Sequence, residues 1–219
     1  MKGLQLKRII VVAVILEVML LSCSDAQLLK SYGVKAAYTS ANQNFDYSSS
    51  TANLGSQRRA GYNVAVFAEW LNLPIVSVIT QVEYAQRGMK FDVSNTGPEN
   101  PDIIIRTVTE KNRLDYLSIP VLVKLTLPSA IVHPYLLAGP RIDCFLSYQS
   151  DDNLLNPFYD DFKKTEIGAS FGGGIELSTI LPVGVLIEAR YNLDLQDSYS
   201  SNNWKVRNNS FDIWLGVTF

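Results

Sequence analysis

The segment Phe211-Asp-Ile-Trp-Leu-Gly-Val-Thr-Phe219 alternates apolar residues with other residues. Because side chains in a β-strand repeat every two residues, a strand built from this segment has one apolar face. That face carries Phe211, Ile213, Leu215, Val217 and Phe219. An apolar face that ends on an aromatic residue suits the closing seam of a transmembrane β-barrel, where the face contacts lipid. We therefore expect these five residues to form the C-terminal assembly signal that the barrel-assembly machinery recognises.

Seven further segments show the same period of two, so the sequence predicts eight strands. The strongest segment spans residues 183–195, where one face is apolar and the other carries Glu188 and Arg190. The predicted fold is all-β, an eight-stranded antiparallel up-and-down transmembrane β-barrel. Pro120 and Pro140 lie inside predicted strands, so we expect bulges there or pairing that ends nearby. The other six segments lie near residues 33–39, 64–70, 76–84, 116–125, 135–146 and 166–177.

Charged residues fall on the faces opposite the apolar ones. An eight-stranded barrel has an interior just wide enough to be filled by side chains, so charges of mixed sign can pair there as a polar plug. Two other interpretations stay open: a narrow conduction path along the lumen, and a solvated outer surface of a soluble, lipocalin-like barrel. The lumenal charged candidates are Glu83, Arg87, Lys124, Arg141, Asp143, Glu176, Glu188, Arg190, Asp194 and Asp212.

The connections between the predicted strands alternate in length. Residues 41–58 form a long polar stretch, residues 88–113 are long and contain glycine and prolines, and residues 149–165 are long and acidic. Residues 72–74, 128–132 and 179–182 are short, and 197–203 are intermediate. Outer-membrane barrels have short periplasmic turns and longer extracellular loops. This alternation predicts that both termini lie on the periplasmic side.

The N-terminus predicts export. Lys2, Lys7 and Arg8 precede an apolar run over residues 9–21, and small residues follow around Ala26. This pattern is typical of a cleaved secretory signal peptide. We therefore assign residues 1–26 to a signal peptide and 27–219 to the outer-membrane β-barrel domain, in the outer membrane of a Gram-negative bacterium. The alternative is cleavage and acylation at Cys23, as in bacterial lipoproteins.

Composition excludes several classes of protein. Cleavage after Ala26 would remove Cys23 and leave Cys144 as the single cysteine of the mature chain, so no intrachain disulfide could form. The chain is therefore not a disulfide-stapled secreted module. The formal net charge of the full chain is −2 and no basic block stands out, so no nucleic-acid partner is predicted. Hydrophobic residues make up 47% of the chain but are dispersed after the first run, which favours strands over long helices.

No enzyme, cofactor or metal ion is predicted. The single histidine, His133, lies at a short predicted turn, far from the long loops, and is a poor candidate for a general base. The run Phe171-Gly-Gly-Gly174 lacks the Gly-Lys-Ser/Thr ending of a phosphate loop. One acidic stretch has oxygen ligands that Ca²⁺ accepts, but its spacing fits no known calcium loop, and a solvated external loop is the favoured interpretation. Its members are Asp151, Asp152, Asp160 and Asp161.

Four segments carry a resemblance to a known family. They are Tyr116-Leu-Ser-Ile-Pro-Val-Leu-Val-Lys124, Pro134-Tyr-Leu-Leu-Ala-Gly-Pro140, Phe171-Gly-Gly-Gly-Ile-Glu-Leu177 and Leu186-Ile-Glu-Ala-Arg-Tyr-Asn-Leu193. In this order and spacing the chain, from about Gly33 to Phe219, resembles the PorT-type outer-membrane β-barrel family of Bacteroidetes and relatives. The resemblance implies an outer-membrane barrel and does not imply a defined activity.

Three functions are compatible with these observations. The first is a structural or interaction barrel in the cell envelope, with a plugged lumen and long extracellular loops. Its partners would be outer-membrane lipid, the barrel-assembly machinery, and envelope or secretion-system proteins. The second is a narrow, porin-like channel or small-solute carrier. The third is a soluble or lipidated periplasmic binder of the lipocalin type, with its apolar residues facing inward.

Overall fold

The computed structural model describes residues 28–47, 55–71, 73–97, 100–127, 129, 131–150, 163–177, 183–200 and 204–219. The predicted signal peptide, residues 1–26, and the acidic residues 151, 152, 160 and 161 lie outside these ranges. Within the described ranges, no helix is long and apolar enough to cross a membrane.

Eight long antiparallel strands form a closed ring, which confirms the predicted all-β barrel. Each strand pairs with its neighbour in sequence, and the first strand pairs with the last to close the ring. A two-residue strand, Tyr199–Ser200, adds a short hairpin arm to the last strand. The strands are β1 (Leu29–Tyr47), β2 (Gln57–Trp70), β3 (Val76–Gly97), β4 (Asn100–Thr126), β5 (Val132–Ser150), β6 (Thr165–Leu177), β7 (Gly184–Asp194), β8 (Tyr199–Ser200) and β9 (Trp204–Thr218).

The apolar faces of the strands point outward and the charged faces point inward. Val64 and Leu215 are 47% and 61% exposed, whereas Arg141 and Glu188 are almost completely buried. A soluble barrel requires the reverse arrangement, because its apolar residues must be removed from water. The lipocalin-like interpretation is therefore wrong, and the outward apolar band has the character of a lipid-facing wall.

The stretch 88–113 is not the irregular loop that the sequence predicts. It continues β3 and β4 as a long hairpin, paired from Gly88 with Arg113 up to Gly97 with Asn100. Likewise β1 extends to Tyr47 and β2 begins at Gln57, so residues 41–47 and 57–58 of the predicted loop 41–58 are strand. The prediction failed because the alternation of apolar and polar residues disappears from the sequence in these extensions, where Ile103, Ile104 and Ile105, for example, are consecutive.

The β4–β5 ladder is interrupted at the two prolines without a change of register, whereas the β5–β6 ladder runs through Pro140 without a gap. Pro120 is paired with Arg141, but pairing of β4 with β5 resumes only at Val123 with Ala138, in unchanged register. Proline cannot donate to a ladder, so pairing weakens around it. The register shift in this pair of strands lies instead between Asp115 and Tyr116. Of the two expected consequences, interrupted pairing is the one observed.

The seam between β1 and β9 is long and regular. Its pairs run without a shift from Gly33 with Thr218 to Tyr47 with Trp204. At the end of the seam, the Phe219 N–H donates to the Tyr32 carbonyl at 2.7 Å, and the Tyr32 N–H donates to the Phe219 carbonyl at 3.2 Å. The rings of Tyr32 and Phe219 lie 5.8 Å apart on the outer surface. Phe219 thus contributes both backbone and ring contacts to the closure.

Candidate functional site

The barrel lumen is the place where the charged residues meet. Nine of the ten lumenal candidates are buried, and Glu176 lies at the rim with its side chain 20% exposed. We call the end of the barrel with the β2–β3, β4–β5 and β6–β7 connections the short-connection end, and the opposite end the long-connection end. The nine buried candidates are Glu83, Arg87, Lys124, Arg141, Asp143, Glu188, Arg190, Asp194 and Asp212.

A first ionic layer closes the short-connection end. The Lys124 Nζ lies 2.8 Å from a carboxylate oxygen of Glu69 and 2.8 Å from one of Glu176. Glu69 also accepts from the Ser77 hydroxyl and the Lys30 Nζ, each at 2.6 Å. Lys124 joins β2 to β6 across the lumen, because its two partners belong to strands that are not its neighbours.

An apolar layer lies just inside this rim. The Lys124 ammonium sits 4.6 Å from the centre of the Tyr135 ring, so the ionic and apolar layers are in direct contact. Aromatic faces attract cations, which reduces the cost of burying this charge. The members of the layer are Phe67, Ile79, Leu122, Tyr135, Leu137 and Leu186.

Glu188 organises the central ionic layer. Its carboxylate accepts from the Lys35 Nζ at 3.2 Å and from the Tyr135 hydroxyl at 3.1 Å, and it pairs closely with Arg190. Arg190 also reaches Glu83 at 3.5 Å on the opposite wall. The indole of Trp214 lies 5.1 Å from each of the two cations, Lys35 and Arg190. The cost of burying these charges is reduced by the ion pairs and by the hydrogen bond from Tyr135. The face of the Trp214 ring also attracts the two cations.

Asp212 forms a polar layer next to the central ions, on the side of the long-connection end. It accepts from the Asn63 amide at 3.1 Å, the Asn192 amide at 2.6 Å and the Thr39 hydroxyl. The Asn192 carbonyl in turn accepts from the Ser170 hydroxyl at 2.6 Å. The donors to Asp212 come from β1, β2 and β7, and Asp212 itself belongs to β9, so one buried carboxylate connects four of the eight long strands.

A third ionic layer lies towards the long-connection end. Arg141 donates to Asp143 at 2.8 Å and pairs closely with Asp194, while Arg87 lies 3.5 Å from Asp143 and 3.4 Å from Asp194. A Cβ at Gly168 would lie 2.6 Å from the Arg141 Nε, so glycine is needed at this position to admit the guanidinium. Two arginines and two aspartates therefore form a closed four-membered network.

The long-connection end is closed by hydrogen bonds and a further apolar layer. The Tyr116 hydroxyl donates to Glu166 at 3.2 Å, and the Ser198 hydroxyl donates to the same carboxylate at 3.1 Å. Asn208 donates to both hydroxyls, at 3.3 Å and 2.8 Å. The buried apolar residues of this layer are Ala85, Leu114, Tyr116 and Val206.

Comparison with known proteins agrees with this geometry. A family model described as "Outer membrane protein beta-barrel domain" matches residues 26–200. The chain belongs to this outer-membrane β-barrel family. No curated protein matches the chain.

Solved structures with a similar fold are distant in sequence. The chain is 10% identical to the outer membrane protein OprG from Pseudomonas aeruginosa, with 87% of this chain and 97% of that chain covered and a TM-score of 0.48. It is 16% identical to Neisserial surface protein A, with 86% and 97% covered and a TM-score of 0.44. It is 10% identical to the outer membrane enzyme PagL, with 82% and 97% covered and a TM-score of 0.37.

Sequence reasoning missed four buried charges of this outer-membrane barrel, Lys35, Glu69, Asp115 and Glu166. Lys35 lies in β1, the strand with the weakest alternation, whereas Glu69 and Glu166 lie on polar faces that the alternation did reveal. Glu69 lies inside the predicted strand 64–70, on the face opposite its apolar residues, so no extension of that strand was needed to find it. Asp115 lies just before the predicted strand 116–125, and a register shift between Asp115 and the next residue changes the phase of the alternation there. Trp214 was also missed, because a buried indole under two cations has no signature in a single strand.

The remaining sequence candidates lie apart from the lumenal networks. His133 is at the start of β5, where it is paired with Glu176 by register at the short-connection end. Cys144 is a free, half-buried cysteine in β5. Within the described residues, no group of three or more His, Cys, Asp or Glu side chains is arranged to hold a metal ion. Of the assembly-signal residues, Phe211, Ile213, Leu215 and Phe219 are exposed on the outer wall and Val217 is half-exposed there.

Proposed function

We propose that this outer-membrane protein is a sealed structural and interaction barrel rather than a channel. The observation that carries the proposal is the stack of paired lumenal layers. Glu188 with Lys35 and Arg190, and Asp194 with Arg87 and Arg141, cross the lumen at two heights. Moving a solute past them would require separating buried ion pairs, which costs several kcal/mol each.

The interaction surface we propose is the hairpin of β3 and β4 beyond the barrel wall. Pairing of β3 with β2 ends at Lys90, and pairing of β4 with β5 ends at Asn112. Beyond these points the two strands pair with each other, and among the described residues no other strand covers their outer edges. Unpaired strand edges accept an added strand from a partner. An extended segment of another envelope protein is therefore the partner we propose.

Topology and family details complete the proposal. We place the short-connection end and both termini in the periplasm, the long-connection end outside, and residues 1–26 in a cleaved signal peptide. We also propose that the chain belongs to the PorT-type branch of the family, on the strength of the four segments quoted above. In this arrangement the projecting hairpin faces away from the cell, where it is accessible to partners on the surface.

Conductance measurements test the sealed lumen. The purified barrel in planar bilayers should give no stable single-channel steps, because the ionic layers around Glu188 and Asp194 are closed. Charge reversal at Lys205, whose side chain is 49% exposed, is the control, and the current trace of this variant should also show no single-channel steps. Reproducible wild-type steps that disappear in Arg190→Glu and persist in Lys205→Glu would show that the lumen conducts and would overturn the proposal.

Shortening the hairpin tests the interaction surface. Asp92 and Thr109 are cross-strand partners, and the Thr109 hydroxyl donates to Asp92 at 2.6 Å. Joining them by Asn-Gly, which favours a tight two-residue hairpin, removes residues 93–108 without touching the barrel wall. Cross-linking in intact envelopes should recover a partner with the full chain and lose it with the shortened one. An unchanged set of cross-links on a correctly folded short variant would contradict the assignment.

A further inference from the structure

The outer wall of the barrel carries an apolar groove that the lumenal function does not use. Its volume is about 710 Å³, within the roughly 300–1,000 Å³ range of ligand pockets. The side chains that line it belong mostly to the outward faces of the strands, with Lys35, Ala65 and Gly216 from the inward faces. The groove therefore lies in the wall that contacts lipid and is separate from the ionic layers.

Strand register explains the floor of the groove. Five valines on five consecutive strands of the ring are aligned as direct cross-strand partners. Valine has a short side chain, so the row forms a low band on the wall. Five strands at a spacing of about 4.8 Å give the band a length of roughly 19 Å. In order around the ring the valines are Val185, Val217, Val34, Val66 and Val82.

A second low row lies beside the valines, and Ala36 is its smallest member. Ala36 is paired with Val64, and Val64 is paired with Tyr84. Small side chains at the centre of the second row, on β1 and β2, widen the low band on the side of the long-connection end. The floor of the groove is thus two outward-facing residues wide along β1 and β2.

Aromatic side chains border the floor on both sides. Towards the long-connection end, Tyr38 and Tyr62 are cross-strand partners, and the Tyr62 ring lies 6.2 Å from that of Tyr84. Towards the short-connection end, the rings of Tyr32 and Phe219 lie 5.8 Å apart. Tyr32, Tyr38, Tyr62 and Phe219 are exposed on the outer wall. Because these aromatic side chains are longer than valine and alanine, they form two ridges beside the floor.

We propose that the groove holds an acyl chain of a phospholipid from the leaflet at the short-connection end. Val217 and Val185 each lie one residue from the strand terminus at that end, which fixes the leaflet. A length of roughly 19 Å exceeds the about 15 Å that half of the hydrocarbon core spans, so one inclined chain fits along the row. Strands in such barrels tilt by about 35–45°, so a row perpendicular to them is inclined to the membrane plane.

A second copy of the barrel fits the groove less well than a slender chain. A neighbouring barrel presents a convex wall several strands wide. Its surface would meet the aromatic ridges at Tyr38 and Phe219 before it reached Val34 on the floor, and a void would remain. A flexible acyl chain fills such a space and gains favourable apolar contacts along its whole length.

Photolabelling in liposomes tests the proposal. The folded full chain is reconstituted with a phosphatidylethanolamine that carries a photoactivatable diazirine on its acyl chain, and adducts are mapped by mass spectrometry. We expect adducts on the groove residues to exceed those around Val123, a residue of β4 outside the groove lining, severalfold. Val34 and Val123 are 49% and 48% exposed, so Val34→Phe and Val123→Phe are matched substitutions inside and outside the groove.

The outcomes separate the alternatives. Val34→Phe should lower labelling at Val66 severalfold, whereas Val123→Phe should leave it unchanged. Ala36→Leu, a smaller change on the same floor, should act in the same direction if Val34→Phe does not fold. Equal labelling of all outward residues would show ordinary annular lipid and overturn the proposal, as would groove cross-links between two copies of the chain. None of these results depends on whether the lumen conducts.

Discussion

Replacing Glu188 by glutamine should destabilise the barrel more than any surface charge mutation. Glutamine keeps the shape of the side chain but removes its charge. Lys35 and Arg190, both buried, then face a neutral amide in place of a carboxylate. The Tyr135 hydroxyl, which donates to Glu188 at 3.1 Å, keeps an acceptor in the amide oxygen. The perturbation is therefore mainly electrostatic, with little change in packing.

The expected magnitude follows from burial. Removing one partner of a buried ion pair costs about 3–5 kcal/mol, because the other charge stays buried without compensation. Arg190 retains Glu83 at 3.5 Å and Gln81 at 3.2 Å, so most of the loss falls on Lys35. We therefore expect the free energy of unfolding to fall by about 4 kcal/mol for Glu188→Gln.

Urea unfolding in a detergent where unfolding and refolding curves coincide measures this loss. At an m value of about 2 kcal/mol/M, a loss of about 4 kcal/mol lowers the midpoint by about 2 M, with the slope unchanged. Asp197→Asn is the control. Asp197 also pairs with two cations, Lys205 and Arg207, but their side chains are 49% and 44% exposed. Exposed pairs contribute at most about 1 kcal/mol, so this variant should remain close to wild type.

Equal midpoints for the two variants would refute the reasoning. In that case the central layer would be hydrated enough to screen Glu188 like a surface group, and the sealed lumen would lose its main support. A change in slope would instead indicate a different unfolding reaction and would require a second probe.

Two further predictions concern the wall. Phe219→Asp removes a ring contact with Tyr32 and places a charge at the seam. The fraction of folded, heat-modifiable protein in the outer membrane should therefore fall well below that of Asp197→Asn. An equal folded fraction in the two variants would contradict the role of the seam. Gly139→Ala places a Cβ 2.0 Å from the Val121 carbonyl oxygen, so the free energy of unfolding measured in urea should fall by about 1–3 kcal/mol. Ala138→Val, at the exposed neighbouring position, should leave this free energy nearly unchanged. Similar losses for both substitutions would show that the strands move apart there at little cost.

The short connections, the closing strand and the core of each long strand could be predicted from the sequence. The alternation of apolar and polar residues revealed β7 and β9. One face of each strand is apolar and the other lies against the charged lumen, so neighbouring residues along the strand differ in polarity. The extension of β3 and β4 into a hairpin could not be predicted. Beyond the apolar band neither face has to be apolar, so pairing there leaves no periodic signal.

The lumenal network shows the same division. The phase of alternation assigned Arg190 and Asp194 to the polar side of β7. Which carboxylate each cation contacts depends on strands far apart in sequence, as with Arg87 and Asp194. The partners of Lys35 could not be predicted, because Glu188 lies 153 residues away and meets it only when the ring closes.

By itself the sequence determined that the chain is an eight-stranded barrel with one apolar and one charged face. A period of two is a local property of each strand, so local residues suffice to specify it. Only the tertiary structure decided that the apolar face points outward, that the charges pair in closed layers, and that five valines align into one groove. These features depend on register and on ring closure, which fix distances between residues from different strands, and no single strand carries that information.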